Sequence, residues 1–73
     1  MMKLSARNIL KGKVKSITKG AVNAEVIIVL PNKTELVSII TNSSAKDMKL
    51  KKGKEVYAII KASNVILGVE CEC

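Results

Sequence analysis

The stretch that decides the fold is residues 8–17, NILKGKVKSI, in which the residue type alternates from one position to the next. Small or apolar residues occupy one set of alternate positions and lysines occupy the other: Leu10, Gly12, Val14 and Ser16 against Lys11, Lys13 and Lys15. Successive side chains of a β-strand point to opposite faces of its sheet. The pattern therefore predicts a strand with one buried face and one charged face in water.

Strand-like patterns continue downstream and predict four further strands, over residues 22–30, 34–41, 55–61 and 64–69. Lys19-Gly20 and Pro31-Asn32-Lys33 mark the turns between the first three strands. A short helix is predicted over 43–48, where Ser44 and Asp47 have the spacing of a capping box. Five short strands with one helix between the third and the fourth is the element order of a small Greek-key barrel of the OB type. The predicted fold class is therefore all-β.

Several of these strands are apolar on both faces, although a small barrel has only one interior. Six residues cannot all point inward: Ile27, Val29, Val37, Ile39, Ile59 and Ile66. One interpretation is local irregularity, such as bulges or mixed facing. The preferred one is a surface buried between subunits, because contiguous exposed apolar area usually marks association. A chain of 73 residues is marginally stable alone, and oligomerisation would stabilise it.

The composition argues against catalysis. The chain contains no histidine, so neither a Ser-His nor a Cys-His pair can be built. Its six acidic residues are scattered singly, and no glycine-rich phosphate loop of the Walker or Rossmann kind is present. With two cysteines and no histidine there is also no residue set for a zinc ion. We therefore expect a binding protein, with no enzymatic activity and no bare metal ion.

Lysine and arginine total 13 and acidic residues total 6, and the resulting net charge of +7 indicates an anionic partner. A nucleic-acid-binding OB module that uses the lysine-rich faces is one alternative. Single-strand binders normally stack bases on aromatic side chains, whereas Tyr57 is the sole aromatic residue in this chain. Arg7 is its sole arginine, the usual reader of guanine edges. Both features argue against nucleic acid as the partner.

The sequence contains no signal-peptide pattern at its start and no apolar run of the roughly 18 residues that a membrane span requires. We therefore expect a soluble, cytoplasmic protein that does not associate with a membrane.

Two short segments each carry a cation and a hydroxyl two residues apart. Ser5-Ala6-Arg7 precedes the first predicted strand, and Lys61-Ala62-Ser63 lies between the fourth and the fifth. Residues i and i+2 share one face of an extended chain, so the two groups of each segment can point at one anion. Either segment taken alone also fits a solvated strand end, which leaves that interpretation open.

Four tracts together resemble the molbindin (Mop) family: SARNILKGKV, TKGAVNAEV, SIITNSSA and EVYAIIKASNVILGV, which begin at residues 5, 18, 38 and 55. Members of this family consist of a single molybdate-binding OB-like domain, also called a TOBE-type domain. The resemblance covers essentially the whole chain. It implies one domain over residues 1–70, with residues 71–73 as a C-terminal tail.

The resemblance implies an intracellular protein for molybdenum storage and homeostasis that binds molybdate or tungstate reversibly. It further implies a homo-hexamer, a trimer of dimers, with the anion at subunit interfaces and no organic cofactor. The principal binding residues carried over from the family are Ser5, Ala6, Arg7, Lys61, Ala62 and Ser63. Two further tracts are carried over without assigned atoms: Gly20, Ala21, Val22 and Asn23, and Ile40, Thr41, Asn42, Ser43 and Ser44.

The energetics of such a site favour donors from more than one chain. Four charge-assisted hydrogen bonds, at about 1.5–3 kcal/mol each, contribute roughly 6–12 kcal/mol before costs. Micromolar binding requires about 8 kcal/mol. Two cations and two hydroxyls are therefore borderline, and backbone amides or a second subunit are expected to complete the site.

Overall fold

Four antiparallel strands and one short helix make up the part of the chain that the computed structural model describes, residues 7–71. The elements in chain order are β1 (Asn8–Lys19), β2 (Asn23–Val29), β3 (Glu35–Thr41), α1 (Asn42–Asp47) and β4 (Glu55–Ile60). They form one curled sheet with the strand order β3-β2-β1-β4. The all-β class, the first four predicted strands and the helix are confirmed, each boundary to within two residues.

The long strand β1 contains a bulge that changes which residues face inward. Val14 lies opposite Ile28, but Ser16 lies opposite Ile27, so Lys15 is an extra residue in β1. The prediction that Ser16 shares the inner face with Val14 is therefore wrong. Beyond the bulge Ile17 takes the inward position and packs against the core. A bulge has this effect because one unpaired residue reverses the alternation of a strand.

The core lies on the concave side of the sheet and is small. Val14, Val26 and Ile28 are buried together there, with Ala24 and the α1 residue Ala45 also buried. Gly12 allows β1 to approach β2 closely at this point. A Cβ at position 12 would lie 2.6 Å from Ile28 Cγ2 and 2.8 Å from the Val29 carbonyl oxygen. Because the second contact is with backbone, position 12 requires glycine.

At both ends of the helix α1, a side chain forms a hydrogen bond with a backbone group that has no partner within the helix. Its N-cap is Thr41, whose hydroxyl oxygen accepts the Ser44 N–H at 3.0 Å. The predicted capping role of Ser44 is therefore wrong. The cap lies one turn earlier, at Thr41, and Ser44 provides the backbone N–H that this cap accepts. At the other end, Lys54 Nζ donates to the Met48 carbonyl oxygen at 2.5 Å. Cationic groups are favoured at this end of a helix.

The predicted fifth strand is not confirmed within the described chain. Ala62–Asn64 forms a 3-10 turn instead, and residues 65–70 have no strand assignment. We call residues 65–70 the arm. The arm side chains Ile66, Leu67 and Val69 are 93%, 89% and 97% exposed. With four strands in residues 7–71, the Greek-key barrel is likewise not confirmed.

Because the sheet is curled, its two edge strands, β3 and β4, face each other across an open seam. A cavity of 220 Å³ lies in this seam and is lined from both sides, for example by Val37 and Ser38 of β3 and by Ala58 and Ile59 of β4. In the described chain each edge strand is paired on one side only. The seam therefore leaves two sets of backbone donors and acceptors open to another strand.

The structure also shows where the six apolar residues lie that could not all point into a single barrel interior. A bulge is present, as the first interpretation required, yet none of the six belongs to the buried core. Ile27 and Val29 are half-buried, whereas Val37 and Ile39 are 63% and 61% exposed on the outer face. Local irregularity therefore does not remove the exposed apolar surface, and a subunit interface stays a prediction.

Candidate functional site

The structure brings Arg7 next to the segment Lys61–Ser63. The β1–β4 ladder ends with Asn8 opposite Ile60, and Asn8 Nδ2 donates to the Ile60 carbonyl oxygen at 3.2 Å. Arg7 and Lys61 are the next residues on the two strands, so they leave the ladder side by side. We call Arg7, Lys61, Ala62 and Ser63 the half-site. Ser5 and Ala6, the other two predicted residues, lie outside the described part of the chain.

The half-site is open to solvent. Arg7 and the three residues after Ile60 are all exposed. The 3-10 turn holds the second segment in place, because the Asn64 N–H donates to the Lys61 carbonyl oxygen at 2.8 Å. A guanidinium, an ammonium and a hydroxyl therefore emerge at one end of the sheet. This set consists almost entirely of hydrogen-bond donors, which suits a ligand that only accepts.

The other two predicted tracts, Gly20–Asn23 and Ile40–Ser44, also meet in the fold, and we call them the corner. Asn23 lies opposite Thr41 in the β2–β3 ladder. Asn42 joins the tracts twice: its backbone N–H donates to the Val22 carbonyl oxygen at 2.8 Å, and its Nδ2 donates to the Gly20 carbonyl oxygen at 3.0 Å. The corner is therefore a braced structural unit.

Many donors of the corner are already used within the chain. The Gly20 N–H donates to the Asn23 carbonyl oxygen at 2.7 Å, the Asn42 N–H is taken by Val22, and the Ser44 N–H is taken by Thr41. The Thr41 hydroxyl donates to Ser44 Oγ at 2.9 Å. The exposed Ser43 hydroxyl remains accessible to a ligand. Backbone amides of the corner are therefore weaker candidates for the anion than its composition indicates.

A cavity of 620 Å³ adjoins the corner. Gly20, Asn42 and Ser43 form one wall, and the lining includes four lysines: Lys19, Lys46, Lys49 and Lys51. Asn42 Oδ1 is buried and has no hydrogen-bond partner among the described residues. The sequence pattern does not connect these lysines with the corner, because that connection depends on how the chain folds back after α1.

The half-site and the corner lie at opposite ends of β1. The 12 residues of this strand span up to roughly 36 Å at the usual rise per residue. One tetrahedral oxyanion cannot touch both ends of the same chain. If both bind anions, they therefore belong to separate sites or are brought together from different subunits.

Two lysines of the outer sheet face, Lys11 and Lys15, are offset by acids on β4 and β3. Lys11 forms an ion pair with Glu55 at 3.0 Å, and Lys15 forms one with Glu35 across β2. The hydrogen bond and the charge of Glu55 raise the pKa of Lys11, and Lys11 lowers the pKa of Glu55 in the same way. The alternating lysines of β1 are therefore a poorer site for a polyanion than the sequence alone indicates.

Residues 7–71 contain neither a metal-binding cluster nor a membrane-spanning helix. No group of three or more histidine, cysteine, aspartate or glutamate side chains lies together as a metal site would require. No helix in this range is long and apolar enough to cross a membrane.

Comparison with known proteins identifies the family. The TOBE domain matches residues 4–67, which is most of the chain. The chain is 52% identical over 69 residues to a probable molybdenum-pterin-binding protein of Haemophilus influenzae, covering 94% of this chain and all of that protein. The chain therefore belongs to the TOBE domain family, and the predicted relationship to its Mop members is confirmed.

Solved structures agree with this assignment. A molybdate-binding protein from Sporomusa ovata superposes with a TM-score of 0.88 at 40% identity, covering 93% of this chain and all of that chain. The cytoplasmic molybdate-binding protein ModG, solved with molybdate bound, superposes with a TM-score of 0.91 at 54% identity. That match covers 94% of this chain and 49% of ModG. These relatives are binding proteins.

Proposed function

We propose that this protein binds molybdate, or the closely similar tungstate, reversibly and without covalent chemistry. The observation that carries the proposal is the β1–β4 register, which places Arg7 beside Lys61–Ser63 at one end of the sheet. The molybdate-binding relatives, similar over nearly the whole chain, support the identity of the anion.

The chemistry of the half-site matches a tetrahedral dianion. Molybdate carries only acceptor oxygens, and the half-site offers a guanidinium, an ammonium and a hydroxyl. A donor-only site disfavours hydrogen phosphate, whose own hydroxyl needs an acceptor. Because the half-site is exposed in the single chain, binding there requires a cover that excludes water. Donors from another subunit would supply that cover and the missing binding energy.

The arm and the open seam support assembly into the hexamer implied by the family. The arm follows the half-site closely, and its apolar side chains Ile66, Leu67 and Val69 are almost fully exposed within the described chain. Its six residues, 65–70, match the length of β4, which also has six. We infer that the arm of one copy pairs with an open edge strand of another and becomes the fifth strand there. This places each half-site at a subunit boundary, in a trimer of dimers.

The physiological role that fits reversible binding is storage and buffering of the oxyanion in the cytoplasm. Because the proposed binding uses only hydrogen bonds and charge, release would return the anion unchanged. The alternative role in nucleic-acid binding is weakened by the two ion pairs on the outer face, which offset Lys11 and Lys15.

Native mass spectrometry with and without molybdate tests the proposal. The expected result is an assembly of six 7.9 kDa chains that retains a whole number of molybdate ions. Sulfate at equal concentration is the control, because it has the same charge and shape but a smaller radius. Failure to retain molybdate at concentrations well above micromolar would refute the assignment. A monomer that retains molybdate would refute the proposed subunit interface but would support molybdate as the ligand.

A further inference from the structure

Much of the positive charge that has no acidic partner within residues 7–71 lies around the corner. Residues 42–54 contain the lysines at 46, 49, 51, 52 and 54, and Asp47 is the single acid among them. On the outer sheet face, in contrast, Lys11 and Lys15 each have a glutamate partner. Three of the lysines that follow Ser44, together with Lys19, line the 620 Å³ cavity beside Gly20, Asn42 and Ser43.

The backbone at Lys49 adopts a conformation that a lysine rarely takes. Its φ is 53°, in the left-handed region that favours glycine. The chain turns sharply there: the Lys49 N–H donates to the Lys46 carbonyl oxygen, and the Leu50 N–H donates to the Ala45 carbonyl oxygen. A glycine would suit this helix end better. The turn leaves Lys49 in the lining of the cavity.

The cavity next to these lysines is polar at its corner wall. Asn42 Oδ1 is a buried acceptor that has no partner among residues 7–71. Buried acceptors of this kind are normally satisfied by water or a ligand. Apolar side chains, among them Ile17 and Leu50, complete the lining, so the lysines alone give the cavity its cationic character.

We propose that Lys19, Lys46, Lys49 and Lys51 form a cationic vestibule that captures the dianionic oxyanion beside the exposed Ser43 hydroxyl. This inference rests on the proposed oxyanion binding and adds the route of entry. Like charges around a cavity focus the field and raise the local concentration of an anion. Lysines that act in this way change the association rate, whereas residues that hold the bound anion change its dissociation rate.

The test compares two double variants with the same change in charge. Lys46→Gln/Lys49→Gln removes two vestibule charges. Lys13→Gln/Lys33→Gln removes two charges elsewhere, and it is closely matched because Lys33 also has a positive φ, of 70°. The association rate with molybdate is measured by stopped-flow ultraviolet absorbance, at low ionic strength and in 1 M sodium chloride.

At low ionic strength the vestibule variant is expected to associate about threefold to tenfold more slowly than the parent protein, with the control variant much closer to the parent. In 1 M salt, where the Debye length is about 3 Å, the difference should vanish. Equal slowing in both variants, or a change confined to dissociation, would overturn the vestibule. Absence of molybdate binding in the parent protein would overturn the proposed function itself.

Discussion

The half-site and the corner sit at the two ends of the same strand, yet they are built in opposite ways. The half-site is exposed, and its cationic groups lie at the end of a ladder that stops one residue earlier. The corner is held by two hydrogen bonds from Asn42 and by the Thr41 cap. Under the proposed function the half-site is completed from outside the chain. The corner, in contrast, is a structural unit that its own hydrogen bonds hold together.

The largest effect is expected from the arm, which extends the half-site toward other chains. Ile66→Asp/Leu67→Asp changes two side chains that are 93% and 89% exposed in the single chain. If nothing covers them, the variant should behave as the parent does. If the arm pairs with another copy, two buried carboxylates should dissociate the assembly to 7.9 kDa chains.

Light scattering of the arm variant at micromolar concentration measures this directly. Ile66→Val/Leu67→Met is the matched control, because it keeps the arm apolar and should leave the mass unchanged. An aspartate variant with the parent mass would show that the arm has no partner, and the half-site would then have to bind its anion without a second chain.

The next largest effect is expected from Arg7→Ala. This change removes a charge-assisted hydrogen bond and should weaken molybdate binding at the half-site by roughly tenfold to a hundredfold. Because Arg7 is exposed, the melting temperature of the ligand-free protein should not change.

Titration calorimetry with molybdate checks the Arg7 prediction, with Arg7→Lys as the variant that keeps the charge but loses the bidentate fork. An unchanged dissociation constant in Arg7→Ala would remove the half-site from the binding machinery.

The smallest effect is expected from Asn42→Ala, and it should fall on stability. The substitution removes the hydrogen bond from Nδ2 to the Gly20 carbonyl oxygen. A neutral hydrogen bond of this kind contributes about 1 kcal/mol, and a lowering of the melting temperature by roughly 4–8 °C would follow.

Thermal denaturation of the ligand-free protein measures the Asn42 effect. Ser43→Ala serves as the control, since it removes an exposed hydroxyl from the same tract without touching the brace. If Asn42→Ala melts at the parent temperature while molybdate affinity collapses, the corner is primarily a binding element and the contrast with the half-site is wrong.

Periodicity predicted most of the fold because it reports which face of a strand is buried. Residues 8–17 show this well up to Val14, where the lysines alternate cleanly with small or apolar residues. The bulge at Lys15 is invisible in that pattern, because register depends on how β1 and β2 pack together. The cap was misplaced for a similar reason, since Thr41 and Ser44 both carry hydroxyls and geometry decides between them.

The candidate site was predictable to the extent that it depends on short segments. Arg7 and Lys61 are neighbours because each flanks one of two paired strands, and the sequence alone indicates both segments. The ion pairs of Lys11 and Lys15 were not predicted, because their partners Glu55 and Glu35 are far away in sequence. The arm was predicted as a strand from its composition. An apolar run favours strand pairing but does not specify which chain provides the partner.

The open seam between β3 and β4 has a consequence for how this protein survives in dilute solution. Edge strands without partners are templates for aggregation, and an exposed apolar arm follows β4 in the chain. A chain that depends on its copies to cover such edges has a stability that rises with its own concentration. A melting temperature measured at one protein concentration would then not apply at another. Newly synthesised chains would be most prone to aggregate before they assemble with other copies.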